Sequence, residues 1–267
     1  MMRIGFVGGG TMGEAMVKSL LAKGVAKPVD ISVSDISPAR RDVLKESYGV
    51  QITDDNREAT KGADVIVLAV KPQEAGKVLS ELRGISQKQM VLSIAAGVTM
   101  DSLKQGLGHD YVVRAMPNMP AQIGEGMTVW TATPGIMQKQ REMAQAILAA
   151  MGEEMYVDSE KYIDMATALS GSGPAYLFLI IEALTDAGVH IGMPRPMAER
   201  LIVETMISSA RSVKVMGKHP AELKNMVTSP GGTSTEGLLQ LESGGLRSLL
   251  LKAVIAAYNK ASSLGAK

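Results

Sequence analysis

The stretch VGGGTMGEAM, directly after the apolar RIGFV near the N-terminus, narrows the choice of fold more than any other part of the chain. It supplies Gly8-x-Gly10-x-x-Gly13 where an apolar β-branched run gives way to a helical pattern. Gly8 permits a tight turn, Gly10 lets the backbone approach a pyrophosphate, and Gly13 lets the helix pack closely on the strand. The positive end of that helix then faces the anion. Such a motif is weak alone, but here it sits in a strand-turn-helix unit followed by a second apolar run ending in SVSD. A dinucleotide site at the carboxyl edge of a parallel sheet is the expectation.

The first 158 residues repeat this alternation. Strands are expected at 3–8, 30–34, 64–70, 90–96, 111–116 and 127–132, with helices between them. Ser37 before Pro38, and Thr99 before Asp101, read as helix N-caps. Runs apolar on both faces imply a parallel sheet covered on two sides. From Ser159 the pattern changes to long helical periods at 176–188, 196–217 and 246–265, the first closing on Gly188 as a C-cap. The fold class is therefore α/β: a Rossmann-type dinucleotide-binding domain over 1–158, then an all-α domain over 159–267. Several helices are apolar around most of their circumference, more than a bundle of about a hundred residues buries internally, so a helix-to-helix dimer is expected.

Composition excludes several classes. Charge is nearly balanced, +1 overall without runs of one sign, which gives no reason to expect nucleic acid or an anionic membrane as partner. With no cysteine there is no disulfide, thiolate ligand or cysteine nucleophile. His109, His190 and His219 are not spaced with acids or one another as a metal site requires, so none is expected. The N-terminus is too short and glycine-broken for a signal peptide, and the apolar run from Ala175 to Ile181 stops at Glu182. A soluble cytoplasmic protein is the expectation.

Around the site the residues point two ways. Asp35 stands where an acid would accept from a ribose 2′-OH and favour NAD. Ser34, with Arg40 and Arg41 on the following helix, would suit a 2′-phosphate, and the balance leans to NADPH with NADH as second choice. Lys71 ends a strand at the carboxyl edge, and RAMPNMPA, with Asn118, is another strand-to-loop exit. In the helical half, MVTSPGGTSTEG sets small hydroxyls and paired glycines between two helical stretches, suiting converging backbone amides as well as a plain connector. Pro174 interrupts a helical run, so the carbonyl of Ser170 loses its donor there.

Taken together, ALSGSGPAYLFLIIEALTDAGVHIGMPR, TSPGGTSTEGLLQLESGGLRSLL, VGGGTMGEAM, AVKPQ, SIAAGV and RAMPNMPA resemble pyrroline-5-carboxylate reductases almost end to end. The resemblance implies NAD(P)H-dependent reduction of a cyclic imine, 1-pyrroline-5-carboxylate, to L-proline, with homodimers through the helical domain and higher assemblies such as a decamer. By position it implies cofactor contacts at Gly8, Gly10, Thr11, Met12, Ser34, Asn56, Ala69, Val70, Lys71, Pro72 and Ala96. Substrate contacts are implied at Glu160, Ser229, Gly232, Thr233 and Ser234. Ser234, where the family usually has Thr, is the candidate for the proton at the ring nitrogen. Asn225 and Met226 also depart from the usual pattern. A protonated C=N carbon is already electrophilic, so placement matters more than activation, and a missing acid–base dyad fits. Two alternatives share the layout. A β-hydroxyacid dehydrogenase-like enzyme needs a catalytic lysine on the first helix of the second domain, where only Lys161 stands, at its start. A non-catalytic nucleotide-sensing dimer has no use for the glycine loop.

Overall fold

The computed structural model describes residues 2–265. Positions 1, 266 and 267 of the expected domains lie outside that range. The chain runs β1 (Ile4–Val7), α1 (Thr11–Ala22), β2 (Ile31–Ser34), α2 (Pro38–Tyr48), β3 (Gln51–Thr53), α3 (Asn56–Thr60), β4 (Val65–Leu68), α4 (Pro72–Glu81), β5 (Met90–Ser93), α5 (Met100–Leu107), β6 (Val112–Met116), β7 (Gly126–Ala132), α6 (Gln138–Ala149) and β8 (Gly152–Tyr156). The helical part follows: α7 (Lys161–Ala166), α8 (Gly173–His190), α9 (Arg195–Met216), α10 (Pro220–Met226), α11 (Thr233–Ser243) and α12 (Leu246–Gly265).

The strands form one sheet in the order β3-β2-β1-β4-β5-β6-β7-β8. Alternate residues of a strand face opposite sides, and the packing follows that rule. Ile4 and Phe6 of β1, with Val65 and Val67 of β4, join one core cluster that includes Met16, Leu44, Trp130 and Leu148. Val7, Ile66 and Leu68 join another, with Leu82, Leu103 and Leu107. Both faces are thus covered, which is why these strands read as unbroken apolar runs.

All six expected strands are present. The sheet is not wholly parallel, however: β7 pairs antiparallel with β6, Val113 opposite Ala132, and β8 then pairs parallel with β7. Both expected N-caps hold, Ser37 accepting from the Arg40 amide and Thr99 from the Ser102 amide.

Contacts divide the chain into two units. One runs to Ser172 and takes in the chain again from Ala257; the other is Gly173–Ala256. α7, which follows the division expected after 158, packs with the first unit, where ion pairs join it to Arg114 of β6. In the second unit, α8 and α9 pack as an antiparallel pair joined by a short turn at Gly192, where φ is +100°. Gly188 is not the cap expected: α8 continues through it to His190. Its lack of a side chain serves packing, since a Cβ there would lie 2.8 Å from the Cβ of Ala198 on α9. Only Thr185 and Ala198 are buried within this unit, whereas Leu179, Leu201, Leu249 and Leu251 are each more than half exposed. The helical run Lys161–His190 is, by length and composition alone, long and apolar enough to cross a membrane, and only 11% of its most apolar window is buried.

Candidate functional site

In the first unit, β1 lies between β2 and β4, so successive crossovers leave it in opposite directions. That reversal opens a crevice at the carboxyl ends of the strands, where α/β sheets bind ligands. A cavity of about 610 Å³ occupies it. Its walls include Gly8 and Gly10 after β1, Ser34 at the end of β2, Asn56 at the start of α3, and Ala69, Val70 and Lys71 after β4. Seven of the residues expected to hold a cofactor therefore come together from four separate parts of the chain.

The glycine turn suits a dinucleotide. Gly8 has φ +102°, and a Cβ on it would sit 2.7 Å from the carbonyl oxygen of Ala69. A Cβ on Gly13 would lie 2.4 Å from the carbonyl oxygen of Gly8, so the helix can begin this close to the strand only with glycine there. At Gly10 nothing stands within 4 Å of where a Cβ would be, and the backbone is open to a ligand. The first-turn amides of the 12-residue α1, those of Thr11, Met12 and Gly13, have no carbonyl behind them in the helix and are available to an anion. These residues fit the diphosphate of a dinucleotide. Thr11, Met12, Pro72 and Ala96 do not line the cavity itself. Thr11 and Met12 open α1, Pro72 opens α4, and Ala96 lies in the turn between β5 and α5.

The charged residues beside the turn are committed inward. Asp35 accepts from the Gly9 amide with one carboxylate oxygen and from the Ser37 amide with the other, both at 2.8 Å. Arg40 donates through Nε and Nη2 to the carbonyl of Gly9, at 3.0 and 2.6 Å, and through Nη2 to Glu14 at 2.5 Å. Hydrogen bonding from Arg40 is the main reason the Glu14 carboxyl sits below its ordinary range. Arg41 donates to the carbonyl of Asp35 at 2.7 Å. Asp35 lines the cavity and neither arginine does; both arginines, expected to face a 2′-phosphate, donate to backbone carbonyls beside the glycine turn. Ser34 donates to Asn56 Oδ1 at 2.7 Å, and Asn56 Nδ2 donates to Glu81 at 2.7 Å. Glu81, together with Ile36, Asp54, Glu74 and Lys77, lines the cavity without having been expected from the sequence. Ile36 is 86% exposed and offers an apolar face at the rim. Its position just after the β2 acid was the only available signal.

Glu160 is placed outside the cavity lining. Its Oε1 accepts from the Met100 amide at 2.7 Å and from Arg114 Nη1 at 2.6 Å, while Arg114 Nη2 reaches Asp164 at 2.9 Å. Arg114 is 2% exposed, and a buried guanidinium needs such partners.

In the second unit, the loop before α11 has the geometry its sequence suggests. Gly231 has φ +70°, and Gly232 is the N-cap of α11. A Cβ on Gly232 would come within 2.5 Å of the Ser229 hydroxyl, so the two residues fit only because one is glycine. The Gly232 amide donates to the Ser229 carbonyl, and Thr235 Oγ1 closes on the same carbonyl at 2.7 Å. The first-turn amides of Thr233 and Ser234 have no partner within the helix, and both residues are exposed. Before Pro174 the chain makes a π turn over Thr167–Gly171, in which the Ser172 amide donates to the carbonyl of Thr167 at 2.8 Å. Among the described residues no cluster of His, Asp and Glu suits a metal ion.

Comparison with known proteins agrees with this arrangement. Residues 160–264 match the family described as Pyrroline-5-carboxylate reductase dimerisation, and residues 3–97 that described as NADP oxidoreductase coenzyme F420-dependent. A pyrroline-5-carboxylate reductase of Synechocystis is 42% identical over 99% of both chains. The structure of one from Coxiella burnetii superposes with a TM-score of 0.90 at 40% identity, covering 98% of each chain. That of a pyrroline carboxylate reductase from Plasmodium falciparum with NADP bound gives 0.91 at 30% identity, covering 99% of this chain and 98% of that one.

Proposed function

The chain belongs to the pyrroline-5-carboxylate reductase family, and from that membership we propose how its own residues carry out NAD(P)H-dependent reduction of 1-pyrroline-5-carboxylate to L-proline. The cofactor supplies a hydride to the C=N carbon. The protein supplies placement, because the protonated imine is already electrophilic.

The cofactor side is assigned to the crevice of the first unit. Gly8, Gly10, Thr11 and Met12 hold the diphosphate with backbone amides; Ser34 and Asn56 stand toward the adenosine; Ala69, Val70, Lys71, Pro72 and Ala96 follow the strand ends toward the nicotinamide. The substrate side is assigned to the loop of the second unit. Ser229, Gly232 and Thr233 grip the carboxylate with a hydroxyl and first-turn amides, and Ser234 exchanges a proton with the ring nitrogen. The observation that carries this reading is the loop from Ser229 to Ser234. A positive φ at Gly231 and a glycine pressed against a serine hydroxyl open an 11-residue helix whose first amides are exposed.

We read the protein as a homo-oligomer, a reading supported by the dimerisation match over 160–264, and the apolar, poorly buried helices as faces for a partner copy rather than for lipid. We further assign a dimer through the helical domain, a higher assembly such as a decamer, and the cytoplasm as location. The test is oxidation of NADPH in the presence of pyrroline-5-carboxylate by the full-length protein and by Ser234→Ala. Turnover is expected to fall by about two orders of magnitude in the variant, the usual range for a positioned proton-transfer group, while cofactor affinity holds. Unchanged turnover removes Ser234 from the reaction, and oxidation of 3-hydroxyisobutyrate with NAD in place of imine reduction removes the function.

A further inference from the structure

We propose that Glu160 and Leu264 are positioning residues for the cofactor, acting from opposite sides on the turn Ala95–Thr99. The proposal rests on the assignment of Ala96 to the cofactor, and it gives Glu160 a role other than binding substrate.

The turn leaves β5 at Ser93 and enters α5 at Met100. Between them stand Ile94, Ala95, Ala96, Gly97, Val98 and Thr99, and the Val98 amide donates to the carbonyl of Ala95 only at 3.4 Å. So weak an internal bond leaves the turn dependent on its surroundings. Besides the Ser93 hydroxyl, which accepts the Ala95 amide at 3.3 Å, and the packing of Val98 on the core, two contacts hold it from residues beyond 159.

The first is electrostatic. Glu160 accepts the Met100 amide, the first of α5, at 2.7 Å. The same oxygen accepts from Arg114 Nη1 at 2.6 Å, and Asp164 accepts from Arg114 Nη2 at 2.9 Å. Arg114 is fixed in β6 and buried, so it holds the carboxylate of Glu160 at one place, and that carboxylate in turn fixes the start of α5. A charge-assisted bond of this kind is stronger and more directional than a bond between neutral groups.

The second contact is steric. Gly97 has φ +73°, and a Cβ there would lie 2.6 Å from the Cβ of Leu264 and 3.2 Å from its carbonyl carbon. The last turns of α12 therefore lie directly on the turn. Ala261, one helical turn earlier, is 5% exposed, and the chain from Ala257 onward packs within the sheet-bearing unit. Glycine at 97 is required by this approach as well as by its backbone angle.

The turn is thus held at its amide end by Glu160 and at its apex by Leu264. Both holding residues lie far along the chain from the turn yet pack within the sheet-bearing unit, one just before the chain leaves that unit and one after it returns.

The test uses the full-length protein and reads NADPH binding by fluorescence titration without substrate, together with the thermal midpoint of the cofactor-free protein. Leu264→Gly, which removes the Cβ that meets Gly97, and Glu160→Ala are each expected to raise the Kd for NADPH by roughly tenfold, the effect of losing one good contact to a binding element. Glu160→Gln, which keeps an acceptor for the Met100 amide, is expected to restore most of that loss. Ala96→Val reports on the assignment of the turn itself. If Ala96→Val raises the Kd while Leu264→Gly and Glu160→Ala lower only the thermal midpoint, the positioning role is overturned and the cofactor assignment stands. If Ala96→Val leaves the Kd unchanged, the cofactor assignment of the turn fails and the proposal with it. Should Glu160→Ala not fold, Leu264→Gly, in the last turn of its helix, decides the matter alone.

Discussion

At the scale of single residues, the arginines after β2 show how a side chain of the expected type can have unexpected work. Arg40 binds the carbonyl of Gly9 twice and Glu14 once, so it braces the glycine turn from behind. Arg40→Ala is accordingly expected to raise the Kd for NADPH and for NADH by a similar factor, about tenfold. A rise confined to NADPH, measured by paired titrations, would instead show that the side chain meets the 2′-phosphate. His109 is a second case. Its Nε2 lies 2.8 Å from the carbonyl of Gln89, so Nε2 carries the proton and Nδ1, which is buried and unpartnered, is a bare acceptor. Burial holds its pKa below the ordinary 6.5, against a smaller opposing effect of that hydrogen bond. The folded protein thus binds this proton less readily than the unfolded chain. The resulting stability is complete above the unfolded pKa and is lost as pH falls below it. In His109→Gln the decline of thermal midpoint between about pH 7 and 5 should be shallower than in the parent. Equal slopes would mean that other groups govern the acid limb. The sequence revealed which residues end strands, but not that Asp35, Arg40 and Arg41 spend their polar atoms on backbone. That choice depends on distances between β1 and α2 that no local pattern encodes.

At the scale of elements, apolar patterning located what it physically determines. The six strands found by pattern lie between covered faces, and the longer helices have apolar stripes. β3 and β8 escaped because they are edge strands with exposed residues such as Gln51, Glu153 and Tyr156 in place of an apolar run. The antiparallel direction of β7 also escaped, since burial makes a strand apolar whichever way it runs. Gly188 illustrates a different ambiguity: glycine near the end of a helical period signals either a cap or a close approach, and only the position of Ala198 decides. Filling that space tests the packing. Gly188→Val should destabilise the α8–α9 pair by about 1–3 kcal/mol, the common range for overpacking a tight contact. Val introduced at Gly237, where nothing stands within 4 Å of a Cβ, provides the comparison. If both variants unfold at the same denaturant concentration, Gly188 is not needed for the approach.

At the scale of the whole molecule, burial is uneven. The sheet-bearing unit has two dense clusters of apolar side chains, whereas the helical unit buries only Thr185 and Ala198 within one chain. Helices with so little interior gain their stability from association. The thermal midpoint of the full-length protein should therefore rise with protein concentration, by several degrees over a hundredfold range, with the mass of an oligomer in light scattering. A constant midpoint accompanied by the mass of one chain would contradict this account. The division of the chain has its own consequence. Because packing returns to the first unit at Ala257, the helical unit is an insertion tethered at both ends rather than a tail. During synthesis, the segment that rests on Gly97 emerges from the ribosome only after every helix of the insertion. A nascent chain can thus finish its sheet early and still lack the piece that completes the rim, and any chimera exchanging the helical unit between relatives needs two splice points rather than one.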